Sequence, residues 1–295
     1  MKENKEIHVL PRWALTSDML KALDAPVVGK WCRVFDNMII AHNDYCCSLI
    51  FKTSDGLVLI DAIIPGEVHF NNICKAIAEA GWDPNDIKAF IITHGHGDHT
   101  GCGKLIIDHF HPQVYMSKVD YEYWRNNTSS RHAPDFELDE SSFVDDGDVI
   151  KVGDMEIKVY ATPGHTPGGL SFIFPVYDQG IEYTAGMWGG TAVSPNIETA
   201  ITYLKSLDYF MEECEKEGVE TLLTNHPYIE HGVQRMEVCR NRYDHEPNPF
   251  IMGWKQCKQF ADRLYRAWAY DSLMKCDPKA PAGNHAEPPA PPPVK

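Results

Sequence analysis

Residues 93–101 read Thr93-His94-Gly95-His96-Gly97-Asp98-His99-Thr100-Gly101, which places His94, His96, Asp98 and His99 within six residues. The run Ile87–Thr93 just before them is apolar and predicts a buried strand, so these side chains follow directly on a strand end. The glycines between them remove side-chain bulk and permit tight turns. Imidazole and carboxylate are donors that zinc accepts. Four of them in one turn point to metal chemistry rather than to a histidine-rich surface loop.

Two further histidines share this context. His165 sits in Thr162-Pro163-Gly164-His165-Thr166-Pro167-Gly168, a stiff turn between runs 155–161 and 170–176 that read as strands. His226 sits in Leu222-Leu223-Thr224-Asn225-His226-Pro227, directly after a strand over Val219–Thr224. Each alone is weak evidence. With the first cluster they complete six ligands, five histidines and Asp98, enough for two metals. The remaining histidines, His8, His42, His69, His109, His111, His132, His231, His245 and His285, are read as structural or solvated.

Around these motifs strands alternate with helices. Cys46–Phe51 and Leu57–Asp61 are short apolar runs joined by Ser54-Asp55-Gly56, a hairpin signal. Phe70, Ile73, Cys74, Ile77 and Ala80 lie on one helical face, which Gly81 ends. Asn196 is a helix cap ahead of Ile201, Leu204, Met211 and Cys214. Asn248-Pro249 is expected to open a last helix, with Trp254, Cys257, Phe260, Leu264 and Trp268 on one face. Such alternation predicts an α/β layered fold. Residues 1–276 read as one domain. Residues 277–295, DPKAPAGNHAEPPAPPPVK, are too proline-dense for helix or strand and read as an extended tail, either solvated or docked on a neighbour.

The combination His94-x-His96-x-Asp98-His99, then His165 in a Gly-His-Thr-Pro-Gly turn, then His226, resembles the metallo-β-lactamase superfamily over roughly residues 30–230, and within it most closely the subclass B3 β-lactamases. Phe35-Asp36-Asn37, Ser48-Leu49-Ile50 and Thr53–Ala62 fit that group's opening hairpins. The resemblance implies a four-layer αββα sandwich with two zinc ions at one edge. His94, His96 and His165 would hold the first, and Asp98, His99 and His226 the second. It implies hydrolysis of an amide, lactam, lactone or ester by a metal-bound hydroxide, with Asp98 as the catalytic acid–base residue. Iron and manganese are the alternative metals. The rival activity on the same fold is an iron-dependent oxidoreductase similar to the persulfide dioxygenases. Those members carry an aspartate after a strand where this chain has Met187. A non-catalytic binding protein would have lost ligands, and all six are present.

Gly186–Gly190 offers none of the serines that anchor a β-lactam carboxylate in B3 enzymes. Tyr45, Met187, Trp188, Asn225 and Tyr228 flank the motif loops and are expected to line the substrate pocket. The expected substrate is a neutral or amphipathic small molecule, and β-lactam hydrolysis is expected to be weak.

The 295 residues carry 27 Lys and Arg against 42 Asp and Glu, a formal net charge of −15. That balance disfavours nucleic acid and anionic membrane surfaces as partners. No apolar run approaches the ~20 residues of a membrane helix, and Met1–Glu6 lacks a signal-peptide core. Nine cysteines with no Cys-x-x-Cys pair read as reduced thiols, so a cytoplasmic location is expected. A homo-oligomer is compatible with the sequence.

Overall fold

The computed structural model describes residues 30–126 and 136–276; the proline-rich segment 277–295 and His8, His132 and His285 lie outside them. The first sheet opens with a meander of β1 (Lys30–Phe35), β2 (Met38–His42), β3 (Cys47–Thr53) and β4 (Gly56–Ile60). Helix α1 (Glu67–Glu79) crosses over to β5 (Ile87–Ile91), parallel to β4. The short α2 (Gly97–Thr100) and α3 (Gly103–Phe110) lead to β6 (Gln113–Tyr115), parallel to β5, and α4 (Lys118–Asn126) follows.

The second sheet is built from β7 (Val149–Val152), β8 (Met155–Ala161), β9 (Leu170–Asp178) and β10 (Ile181–Trp188), all antiparallel. Helix α5 (Ile197–Lys216) returns the chain to β11 (Thr221–Thr224), parallel to β10. After it come α6 (Gly232–Asn241), α7 (Trp254–Ala261), a single π-helical stretch Asp262–Arg266, and α8 (Ala267–Cys276). The sheet orders are β1-β2-β3-β4-β5-β6 and β11-β10-β9-β8-β7.

Side-chain alternation along the strands builds the layers. In β3, Leu49 and Phe51 face the core between the sheets, with Phe172 and Phe174 of β9, while Ile50 faces Phe70, Ile73 and Ile77 of α1. In β10, Ala185 and Met187 join the inter-sheet core, whereas Trp188 turns outward onto Tyr203, Leu207 and Phe210 of α5. The result is the four-layer αββα sandwich.

One predicted element starts late. The last helix begins at Trp254, after Gly253 at φ 74°, and not at Asn248-Pro249. Asn248 is buried, and its amide donates to Val34 O at 2.7 Å and Asp178 Oδ1 at 3.0 Å, while its Oδ1 accepts from Phe250 N. A side chain engaged in these bonds stabilises a turn in place of the first helical turn. The expected apolar face survives, since Trp254, Cys257, Phe260, Leu264 and Trp268 all pack in the outer core under α5. The Asn196 cap forms as expected, its Oδ1 accepting from Thr199 N at 3.0 Å.

Candidate metal centre

The loops after β5, β8 and β11 meet at one edge of the two sheets. Backbone hydrogen bonds stitch that edge across the sandwich: Leu170 N to Thr93 O, and Cys47 N to Asn225 O. Two groups of ligand-type atoms result. His94, His96 and His165 form one, and Asp98, His99 and His226 the other, the atoms of each lying within 4.8 Å of one another.

In the first group His94 Nε2, His96 Nδ1 and His165 Nε2 make a triangle with sides of 3.1, 3.0 and 3.1 Å. In the second, Asp98 Oδ2 lies 3.6 Å from both His99 Nε2 and His226 Nε2, which are 3.2 Å apart. Tetrahedral zinc ligands at about 2.05 Å from the ion stand about 3.3 Å from one another, so both groups have the spacing of ligands to one ion.

What lies behind the imidazoles fixes which nitrogen faces the centre. His99 Nδ1 donates to Asp61 Oδ2 at 2.7 Å, His165 Nδ1 to Ala192 O at 2.6 Å, and His226 Nδ1 to Tyr45 O at 2.9 Å. Thr93 Oγ1 donates to Asp61 Oδ2 at 2.9 Å and is therefore free to accept from His94 Nδ1 at 3.0 Å. In the neutral rings the Nε2 atoms of these four histidines carry lone pairs that converge. Converging lone pairs repel unless a cation or protons lie between them, and the back-held imidazole is the usual arrangement of a metal ligand.

The electrostatics agree. Burial, with the neighbouring imidazoles, holds His94 and His165 well below the ordinary histidine range. Burial and then His99 push His226 down to about 4. His99 is the exception: burial lowers it, but Asp98 and Asp61 together outweigh that and raise it. Burial works to raise Asp98, yet His99, His226 and His96 hold it below the usual carboxylate range.

The sequence matches the superfamily model described as Metallo-beta-lactamase superfamily over residues 45–178, a stretch that includes His94 through His165. That match, together with the fold, makes this chain similar to the metallo-β-lactamase superfamily. It is 33% identical over 141 residues to a hydroxyacylglutathione hydrolase of Salmonella paratyphi A, covering 48% of this chain and 47% of that one. It is 32% identical over 89 residues to a probable polyketide biosynthesis zinc-dependent hydrolase of Bacillus subtilis, covering 30% of this chain and 35% of that one. The chain thus spans about half or less of the length of these curated relatives. The subclass B3 metallo-β-lactamase BJP-1 of Bradyrhizobium japonicum shares the fold, with a TM-score of 0.66 at 23% identity over 82% of this chain and 92% of that one.

The metallo-β-lactamase fold corrects part of the expected substrate pocket. Met187, Trp188 and Asn225 are fully buried. Met187 fills the inter-sheet core, and the Trp188 indole N–H donates to Tyr203 Oη at 2.9 Å and to Gly190 O. Strand alternation explains both, because two consecutive residues of a strand between two cores face opposite cores and neither faces the edge. Asn225 spends its amide on Asp61 Oδ2, Thr93 Oγ1 and Gly189 O, at 3.2, 3.2 and 2.9 Å, so it braces the ligand loops from behind. Tyr45 and Tyr228 are half-buried beside His226 and stack on one another, with ring centroids 5.6 Å apart at 11°.

Two residues outside the expected site complete it. Asp61, fully buried with φ 63°, accepts from Thr93 N and Thr93 Oγ1, both at 2.9 Å, as well as from His99 and Asn225. Thr93 links that carboxylate to His94. The available signal was position: Asp61 ends an apolar strand run just as Thr93 does. Among the described residues no helix is long and apolar enough to cross a membrane.

Proposed function

We propose that this protein is a binuclear zinc hydrolase acting on an amide, lactam, lactone, ester or thioester bond of a small molecule. The observation that carries the reading is the convergence of two ligand groups, with four imidazoles held from behind so that their Nε2 lone pairs face inward. His94, His96 and His165 would hold one ion, and Asp98, His99 and His226 the other. Zinc in these groups would supply Lewis acidity and lower the pKa of water it binds. A set of five nitrogens and one carboxylate oxygen suits zinc, and no sulfur donor takes part.

Asp98 is the residue placed to move a proton. It stays ionised because the surrounding histidines favour its charged form, and part of its carboxylate remains open to solvent. It would orient the attacking water and carry the proton toward the leaving group. Burial, and then the nearby Asp98 charge, keep the Tyr45 phenol protonated by raising it above the ordinary tyrosine range. The stacked Tyr45–Tyr228 wall presents an aromatic face to a substrate. With the overall charge of −15, it favours neutral or amphipathic substrates over anionic ones. The two curated relatives, a hydroxyacylglutathione hydrolase and a zinc-dependent hydrolase, support a hydrolase and bring thioesters into the candidate set.

The test is a purified enzyme of measured metal content, assayed against lactams, lactones, esters, thioesters and amides. Two zinc ions per chain and efficient turnover of one neutral class are expected. A fully zinc-loaded enzyme inert toward every class would overturn the hydrolase reading. A kcat/KM near ~10⁶ M⁻¹s⁻¹ on penicillins or carbapenems, the level of an efficient enzyme, would overturn the substrate preference.

A further inference from the structure

Two buried carboxylates brace the loops that carry the ligand groups. Asp61 stands behind His99. On the far side, Asp120 of α4 is fully buried and touches no ligand side chain through a hydrogen bond. Its Oδ2 accepts from Gly95 N at 2.6 Å and from Thr166 Oγ1 at 3.0 Å, and its Oδ1 accepts from Gly168 N at 2.8 Å. Gly95 lies between His94 and His96. Thr166 and Gly168 follow His165 by one and three residues. A single carboxylate thus ties the β5 loop to the β8–β9 turn, the two segments that supply all three ligands of the first group.

The fit is tight at Gly95, and at Gly168 it leaves no room for a side chain. A side-chain carbon at Gly168 would stand 2.5 Å from both Asp120 N and Ser117 Oγ, and one at Gly95 would stand 3.2 Å from Trp124 Cβ. Both loops therefore rest directly on the backbone and first side chains of α4. None of these bonds reaches the second group, whose ligands come from α2 and the residue after Asn225.

We propose that Asp120 is the positioning residue of the three-histidine group, setting the distance between the His94–His96 loop and the His165 turn. This rests on the metal-dependent reading above. Removing the carboxylate frees the two loops from each other, so the cost falls on zinc affinity at that group and spares the Asp98–His99–His226 group. A purely structural role would lower thermal stability without distinguishing the two.

The test measures zinc dissociation constants by chelator competition in two single-group backgrounds. His226→Ala leaves the three-histidine group intact, and His165→Ala leaves the ligands Asp98, His99 and His226. Adding Asp120→Asn is expected to weaken zinc ~10–100-fold in the first background and less than about threefold in the second, in line with the loss of a group that orients metal ligands. Thr166→Val, which deletes one of the three bonds while keeping the shape, is expected to weaken the same group several-fold and gives the answer should Asp120→Asn fail to fold. Unchanged affinity in the His226→Ala background, or equal weakening in both, would overturn the proposal. If neither background binds zinc while Asp120 is present, the metal reading itself falls, and the proposal with it.

Discussion

His99 Nδ1 donates to Asp61 Oδ2 across 2.7 Å, and neither side chain is exposed to solvent. This bond directs His99 Nε2 at Asp98 and His226, and it joins the second ligand group to the strand end at β4. The same carboxylate reaches His94 through Thr93, so it touches both groups. Asp61 holds a left-handed backbone (φ 63°), which aspartate and asparagine tolerate better than most residues.

Asp61→Asn keeps that backbone preference and the side-chain volume but removes the charge that holds His99 in place. Zinc affinity at the Asp98–His99–His226 group is expected to fall ~10–100-fold, as for other carboxylates that orient ligating histidines. Chelator competition in the His165→Ala background measures it. Affinity within error of the unsubstituted protein would show that His99 is held by packing alone.

Asp98→Asn addresses the chemistry. The substitution retains size and an oxygen but removes the proton acceptor, and a loss of at least ~10²-fold in kcat is expected. The fold should persist, because Asp98 lies in a partly exposed loop helix and not in any of the three apolar cores. Circular dichroism and metal content on the same sample separate lost chemistry from lost zinc. Near-normal turnover with two zinc ions bound would count against Asp98 as the proton carrier.

The two clusters of ligand-type residues were legible because histidine and aspartate are chemically unusual residues at strand ends, and periodicity placed those ends well. The 155–161 strand and the start of the 170–176 strand agree with β8 and β9. What was not legible depended on long-range partners. Helix α6 buries only Gly232 and Met236, so its sequence carries no strong helical stripe. Asp120 lies on a short, mostly polar helix and acquires its role only when residues 25 and 48 positions away fold against it. Met187 and Trp188 were misplaced in a pocket because proximity in sequence to a loop does not reveal which face of a strand a side chain takes.

Removing the metal should destabilise the fold at its ligand edge. Without a cation, the inward-facing nitrogens of the two groups stand 3.0–3.2 Å apart, and their lone pairs repel unless protons lie between them. Ligands that bind only the folded state stabilise it by mass action, about 4 kcal/mol at a thousandfold excess over the dissociation constant. Chelator treatment should therefore lower the thermal midpoint by several degrees, and stoichiometric zinc should restore it. A midpoint insensitive to both would mean that the groups do not bind zinc in the folded protein.

The last expectation concerns Glu230, away from the ligands. It is fully buried behind β11, where Oε1 accepts from Thr224 N at 3.3 Å and Oε2 lies 3.7 Å from Arg235 Nη1. Burial pushes its carboxyl up from an ordinary 4.5 to about 7, against the opposing pull of Arg235 and the Thr224 N–H. A carboxyl raised in the folded state favours folding while protonated. Its contribution is complete below about 4.5, is lost as pH rises through about 7, and is flat above that. Glu230→Gln keeps an acceptor for Thr224 N but does not titrate. The stability of the natural protein relative to Glu230→Gln should therefore decline between pH 4.5 and 7, by on the order of 3 kcal/mol for a shift of this size. Urea midpoints for both proteins at pH 5, 6, 7 and 8 measure the difference, in which contributions common to both cancel. A difference that stays constant with pH would show that Glu230 is ionised in its buried site across this range, paired with Arg235.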